Sequence, residues 1–139
     1  LTPKNIDTFK LNRKVLELLD TENITYYSAD SIINDDAGNF AQIPTEYLNK
    51  LIPSGLPEHE LQLKVGAIVI MLRNLNPSSG LYNGTRLRVT DLKKNIIKAE
   101  IITGKHAGQI DFIPRIILEP VDQDTMFQMR RIQFPIRLA

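Results

Sequence analysis

Leu63 to Val89, LKVGAIVIMLRNLNPSSGLYNGTRLRV, constrains the fold of this chain more than any other stretch. The run from Ala67 to Leu72 holds three β-branched residues in a row, Ile68, Val69 and Ile70. Such side chains lose rotamer freedom on a helix and pack well on a pleated surface, so the run is read as a buried strand. Asn76, Pro77, Ser78, Ser79 and Gly80 then form a turn cluster, and Asn83-Gly84 adds a tight-turn signal before the next strand. Arg73 and Arg86 bracket this loop, an arrangement able to offer backbone amides and cations to a phosphate chain.

The flanking sequence changes character on either side. Thr2 precedes a proline and is pushed toward extended geometry, so Leu1 to Pro3 reads as the end of a strand. Asp7 offers an N-cap for a helix to about Leu19, with Leu11, Val15 and Leu18 at helical spacing. Ile24 to Ile32 is predicted as one strand, Asn34 to Asn39 as a turn, and Thr45 to Ile52 as a short helix capped by Thr45. From Leu61 onward only strands are predicted, near 61–64, 67–73, 85–91, 96–103, 108–113 and 116–119. Their connections are short, and so many short strands in one compact region favour a small closed barrel over an open sheet. Asp122 to Met129 is predicted as a short helix or loop, and Arg131 to Leu138 as a last strand that leaves the barrel and pairs with the strand beginning the chain. The expected fold is therefore mainly β with minor α. It is a small SH3-like β-barrel (61–120) inserted in a fragment of an α/β lobe, formed by 1–60 and a return strand in 121–139.

The net charge of +1 conceals an imbalance. Residues 1–60 hold 5 Lys/Arg and 10 Asp/Glu, a balance of −5, whereas 61–139 hold 12 and 6, a balance of +6. A basic second half suggests an anionic partner, the plain alternative being a solvated surface balanced by an acidic neighbour. The apolar content of 42% is ordinary for a globular chain of 139 residues. No apolar run approaches the roughly 20 residues of a membrane span, so no membrane partner is expected. There are no cysteines, and His59 and His106 have no companions at ligand spacing, so neither disulfide nor zinc chemistry is expected. Leu1 reads as an internal position and the apolar end FPIRLA as a cut, so the chain is taken as a piece of something longer.

Motifs for self-contained catalysis are missing. Gly104 to Gly108 (GKHAG) lacks the spacing of a phosphate loop and has no Ser or Thr after its lysine; a hairpin turn explains both glycines. Lys105 and His106 at its tip either touch a backbone phosphate or are simply solvated. Asp35 and Asp36 beside Gly38 lack the register of a calcium loop. The carboxylates are scattered, no serine sits in a nucleophile context, and no catalytic or metal-ligating residue is expected. Tyr26-Tyr27 offers a stacking face for bases, against the plainer reading that one ring of the pair enters the core. Arg130 and Arg131 point to opposite faces of a strand, so at least one meets solvent, a carboxylate or a phosphate.

LTPKN, YYSADSI, SGLPEHELQLKVGAIVIMLRNL, GLYNGTRLRV, IPRI and RRIQFPIRLA, in that order, resemble the Pif-type superfamily-1 DNA helicases. The likeness is greatest to the helicase module of Helitron transposons and related Pif-like proteins. It covers essentially the whole chain, and LKVGAIVIMLRNL with GLYNGTR is its most specific part. The resemblance implies that Leu1 to about Asp20 starts a second RecA-like lobe, that an SH3-like barrel is inserted near Leu63 to Pro120, and that Gln133 to Ala139 returns to the lobe. It implies a parent enzyme driven 5′ to 3′ by ATP and Mg, whose phosphate loop and metal-holding acid lie in a first RecA-like lobe not contained here. The fragment itself would hold no cofactor and would not hydrolyse ATP. Its partners would be single-stranded DNA and that first lobe, with the molecule a monomer in the nucleus or, alternatively, in mitochondria. The residues expected to hold DNA are Thr2, Lys4, Asn5, Arg73, Asn74, Asn83, Gly84, Thr85, Arg86, Lys105, His106, Arg115 and Arg131. The rival reading is a barrel that binds a peptide or another protein domain.

Overall fold

The computed structural model describes residues 17–33, 44–52, 55–120 and 128–139. The expected N-terminal helix lies almost wholly outside these residues, as do the Asn34 to Asn39 turn and the first strand. The described chain is mainly β with one short helix. Five strands, β4 (Ile68–Met71), β5 (Arg86–Leu92), β6 (Ile96–Ile101), β7 (Ile110–Pro114) and β10 (Ile136–Leu138), form an antiparallel sheet in the order β10-β4-β5-β6-β7. A two-stranded sheet pairs β1 (Ile24–Tyr27) with β3 (Glu60–Leu63), and a three-stranded sheet has the order β2-β9-β8, with β2 at Ala29–Ile33, β8 at Ile116–Leu118 and β9 at Gln128–Gln133.

The strands alternate as a half-buried sheet must. Leu87 and Val89 are buried between the exposed Arg86 and Arg88, and Ile97, Ala99 and Ile101 are buried between partly exposed Lys98 and Glu100. These inward residues meet Val69, Met71, Ile113 and Ile136 from neighbouring strands and Tyr26, Leu61 and Leu63 from the β1–β3 pair, making one core. Burying each of the larger aliphatic side chains contributes about 1.5–3 kcal/mol, so this cluster is the main source of stability. The pairing register shifts between Val89 and Asp91, a bulge of the kind that bends a strand and helps a small sheet wrap its core.

Three expectations are corrected. The strand foreseen at Ile24 to Ile32 is two strands in two different sheets, parted at Ser28, whose N–H donates to His59 O at 2.8 Å. The last strand is also two. Pro135 cannot donate to a ladder, and the chain turns there, with Ile136 N donating to Phe134 O at 2.8 Å. β10 then joins the barrel beside β4, with Ile136 opposite Met71, instead of leaving it. β9 begins at Gln128, inside the stretch expected to be helix or loop, and pairs with β2 and β8. Because the core takes Tyr26, Phe134 and Ile136, it crosses the boundaries foreseen at residues 61 and 120.

The one described helix, α1 (Thr45–Lys50), starts at the residue expected to cap it. Pro44 is its N-cap and no side chain caps it. Leu48 is its buried residue, whereas Ile52, foreseen on the apolar face, is 52% exposed.

Candidate nucleic-acid interface

Two loops meet at one end of the barrel. The longer joins β4 to β5. Its tip is pinched by a reciprocal pair of backbone bonds, Asn76 N to Leu81 O at 2.8 Å and Leu81 N to Asn76 O at 3.0 Å, around a short 3-10 turn at Pro77–Ser79. Leu81 is buried and anchors the loop to the core. Asn83 N donates to Asn74 Oδ1 at 2.8 Å, and Gly84 N to Met71 O at 2.9 Å, so the second half of the loop folds back on the strand it left. The shorter loop is the hairpin between β6 and β7, where Gly108 N donates to Ile101 O at 2.7 Å.

Glycine is needed where the loops touch. Gly80 has φ +98°, and a Cβ placed there would lie 2.8 Å from His106 Cβ, closer than such atoms pack. Gly104 lies against Tyr82, a Cβ there falling 3.2 Å from the hydroxyl. Arg86 is tied to the same hairpin through its backbone: its N–H donates to Thr103 Oγ1 at 3.2 Å, and its carbonyl accepts from Ile102 N at 3.0 Å. Tyr82, Asn83, Arg86, Lys105 and His106 therefore share one rim. All but the half-buried His106 are exposed, and among the described residues neither Arg86 nor Lys105 has a carboxylate partner. Such a rim suits a polyanion held by charge and by one exposed ring, without base-specific recognition. Tyr82 was missing from the expected set; its position in a Gly-rich loop between cations was the available signal.

Four other expected contacts are placed elsewhere. Arg131 is fully buried: Nε and Nη2 reach Asp30 at 2.7 and 3.0 Å, Nη1 donates to Pro57 O at 2.8 Å and Nη2 also to Leu48 O at 2.9 Å. With its donors engaged inside the protein it cannot meet a DNA strand. Arg115 donates to Tyr27 O at 3.0 Å, and its guanidinium lies 4.9 Å from the Phe134 ring centre and 5.5 Å from that of Tyr26. Arg73 donates to Gly55 O and to Glu119 O, the second at 2.9 Å, clasping the segments that lead into and out of the barrel. Burial holds its pKa below the ordinary arginine value, yet a guanidinium stays charged. Thr85 is buried and donates to Gly80 O at 2.9 Å, a loop brace and not a phosphate contact. Thr2, Lys4 and Asn5 lie outside the described residues.

The Arg131 cluster was not foreseen as a unit. Ser28 Oγ donates to Asp30 Oδ1 at 2.8 Å and lies 2.7 Å from His59 Nδ1, while Gln133 Nε2 donates to Tyr26 O at 3.2 Å and His59 O at 3.1 Å. These bonds fasten the three-stranded sheet to the barrel's leading segment. Ser28 is buried and directed at Asp30, so this is a structural network and not a nucleophile with its base.

Residues 46–92 match the family model for the 2B domain of DNA helicase Pif1. No curated protein matches the chain by sequence. Among solved structures, the Pif1 helicase from Candida albicans is 22% identical with a TM-score of 0.67, the match covering 98% of this chain and 33% of that one. Unliganded Pif1 from Bacteroides is 24% identical, TM-score 0.64, over 98% of this chain and 38% of the other. Bacteroides Pif1 bound to ssDNA is 22% identical, TM-score 0.63, over 98% and 28%. The chain thus spans well under half the length of these structures, with the same fold over that span. Residues 46–92 are similar to the Pif1 2B domain, and the chain as a whole shares the fold of these Pif1 structures over the span it covers.

Proposed function

We propose that this chain serves as the strand-holding part of an ATP-dependent, 5′-to-3′ DNA helicase, in which the rim of Tyr82, Asn83, Arg86, Lys105 and His106 grips the backbone of single-stranded DNA. The observation that carries this reading is the convergence of the β4–β5 loop and the β6–β7 hairpin on one exposed cationic rim, whose Arg86 and Lys105 have no carboxylate partner among the described residues. Bacteroides Pif1 structures bound to ssDNA and in complex with ADP-AlF4 support it by likeness of fold. ATP and Mg would be held by the parent enzyme, chiefly on a first RecA-like lobe, and this chain would position the strand while the two lobes close and open. Contacts of this type go to phosphate and sugar, so they follow the strand without reading it. We place the parent in the nucleus, or alternatively in mitochondria, working as a monomer.

Anisotropy of a labelled oligo-dT strand, titrated with the 139-residue chain, tests the reading. Binding is expected to be weak and to fall steeply with salt, since each neutralised phosphate contributes a slope of about −0.7 in log K against log salt on single strands. Tight binding indifferent to salt, or binding unaltered by Arg86→Ala, would overturn it.

A further inference from the structure

We propose that the outer face of β6 and β7, centred on Phe112, docks an acidic amphipathic helix of a partner protein. This site is separate from the DNA-holding rim and does not depend on it. Phe112 is 52% exposed and Ile110 51%, both on β7, with Ile96 on β6 at 37%. Phe112 stands opposite Lys98 and Ile110 opposite Glu100 in the antiparallel register, so these side chains share the outer face. An aromatic and aliphatic cluster of this kind, rimmed by polar groups, marks a contact surface.

The charges around it select an acidic partner. Four cations border the face, Arg88, Lys93, Lys94 and Lys98, against three carboxylates. All three are engaged, Glu100 by Arg88 at 3.9 Å, Asp91 by Lys93 at 3.5 Å and Asp111 by the Phe112 N–H at 2.8 Å. Lys94 and Lys98 are left without a carboxylate among the described residues. A second copy of this chain would set these lysines against themselves across a two-fold axis, which like charges disfavour. Single-stranded DNA is less suited, because stacking platforms use successive aromatic rings and Phe112 is the one ring on this face among the described residues.

The free edge of β7 directs the partner onto the face. β7 is terminal in its sheet among the described residues. Gln109 O accepts from Ile101 N, and antiparallel bonding alternates, so Ile110, Phe112 and Pro114 turn their backbones to the open edge. There Phe112 N–H is occupied by its neighbour Asp111 Oδ1 at 2.8 Å, and Pro114 has no N–H to give. An added strand would find little to bond, whereas a helix needs only side-chain contact. Ile110 to Pro114 spans roughly 13 Å at strand rise, which matches about nine helical residues.

The test uses the full 139-residue chain and a labelled three-turn synthetic peptide with leucines at helical spacing and glutamates elsewhere. The acidic peptide should bind, and the same peptide with lysine in place of glutamate should bind at least about tenfold more weakly. Phe112→Ser and Lys98→Glu should each weaken the acidic peptide about five- to tenfold without altering thermal melting. If Phe112→Ser fails to fold, the Lys94→Glu/Lys98→Glu chain decides: it should now prefer the basic peptide. Equal binding of both peptides, or no effect of these substitutions, overturns the proposal. So does oligo-dT binding lost on Phe112→Ser, or self-association abolished by it, since each assigns the face to another occupant.

Discussion

Arginine serves opposite ends in two regions of this molecule. In the clasp between the three-stranded sheet and the barrel, Arg131 is fully buried and its donors go to Asp30, Pro57 and Leu48. On the loop rim Arg86 is exposed and, among the described residues, is held through its backbone. A buried guanidinium must find an acceptor for each donor or carry an uncompensated charge, so its neighbours are built around it. An exposed one remains available to a ligand. Adjacent residues divide in the same way: Arg130 is partly exposed and lies 3.9 Å from Glu119, whereas Arg131 is sealed. Composition alone cannot separate these two uses of one side chain.

The widest contrast should come from the clasp itself. Arg131→Ala leaves Asp30 buried without its partner and is expected to lower stability by about 3–5 kcal/mol, measured by urea unfolding. Arg131→Lys should restore little, because an ammonium cannot reproduce the bidentate pair and the two carbonyl bonds. A loss below about 1 kcal/mol for either would show that the clasp does not hold the sheet to the barrel.

Gly80→Ala tests the joint between the two rim loops. The positive φ and the close approach of His106 are expected to cost about 1–3 kcal/mol in the same assay. Adding His106→Ala removes the ring atoms at 2.9 and 3.0 Å but keeps the Cβ at 2.8 Å, so it should recover only part of the steric cost, and the two changes should be non-additive. Strict additivity would mean that the loops do not pack as described.

Arg86→Ala and Lys105→Ala should behave as the reverse of the clasp variant. Stability should stay within about 0.5 kcal/mol of the parent chain, while the salt slope of oligo-dT binding should flatten by up to about 0.7 for each cation removed. If these variants melt early and bind unchanged, the two regions have been assigned the wrong way round.

The remaining contrast concerns the buried phenol of Tyr26, whose effect extends into alkaline solution. Burial pushes the Tyr26 phenol above its ordinary value, Arg115 pulls it partly back, and Asp91 pushes it up again. Because the folded form holds its proton longer than the unfolded chain, this contribution is complete below about pH 10 and is lost as pH rises through the higher folded value. Tyr26→Phe should remove that alkaline decline. At neutral pH it should cost about 0.5–1.5 kcal/mol, through loss of the 2.6 Å bond to Lys93 O. An unchanged alkaline slope in the variant would show that another group titrates there.

The strands were largely legible because one buried face imposes a period of two, which RLRV and IIKAEI follow, and because the β-branched run in AIVIML favours a strand over a helix. The rim was partly legible, since Asn83-Gly84 and GKHAG announce turns with cations beside them. What was illegible was partnership. Nothing in the local sequence of RRIQFPIRLA tells which arginine is buried, because Asp30 lies 101 residues away along the chain. Nor does it reveal that Pro135 divides the strand between two sheets.

Taken alone, then, the amino-acid order determined the alternating strands, the turn positions, the basic second half and the resemblance to Pif-type helicases, since these are local or cumulative properties. The tertiary structure alone decided which cations are free. Burial and hydrogen-bond satisfaction depend on groups that only folding brings within about 3 Å of one another.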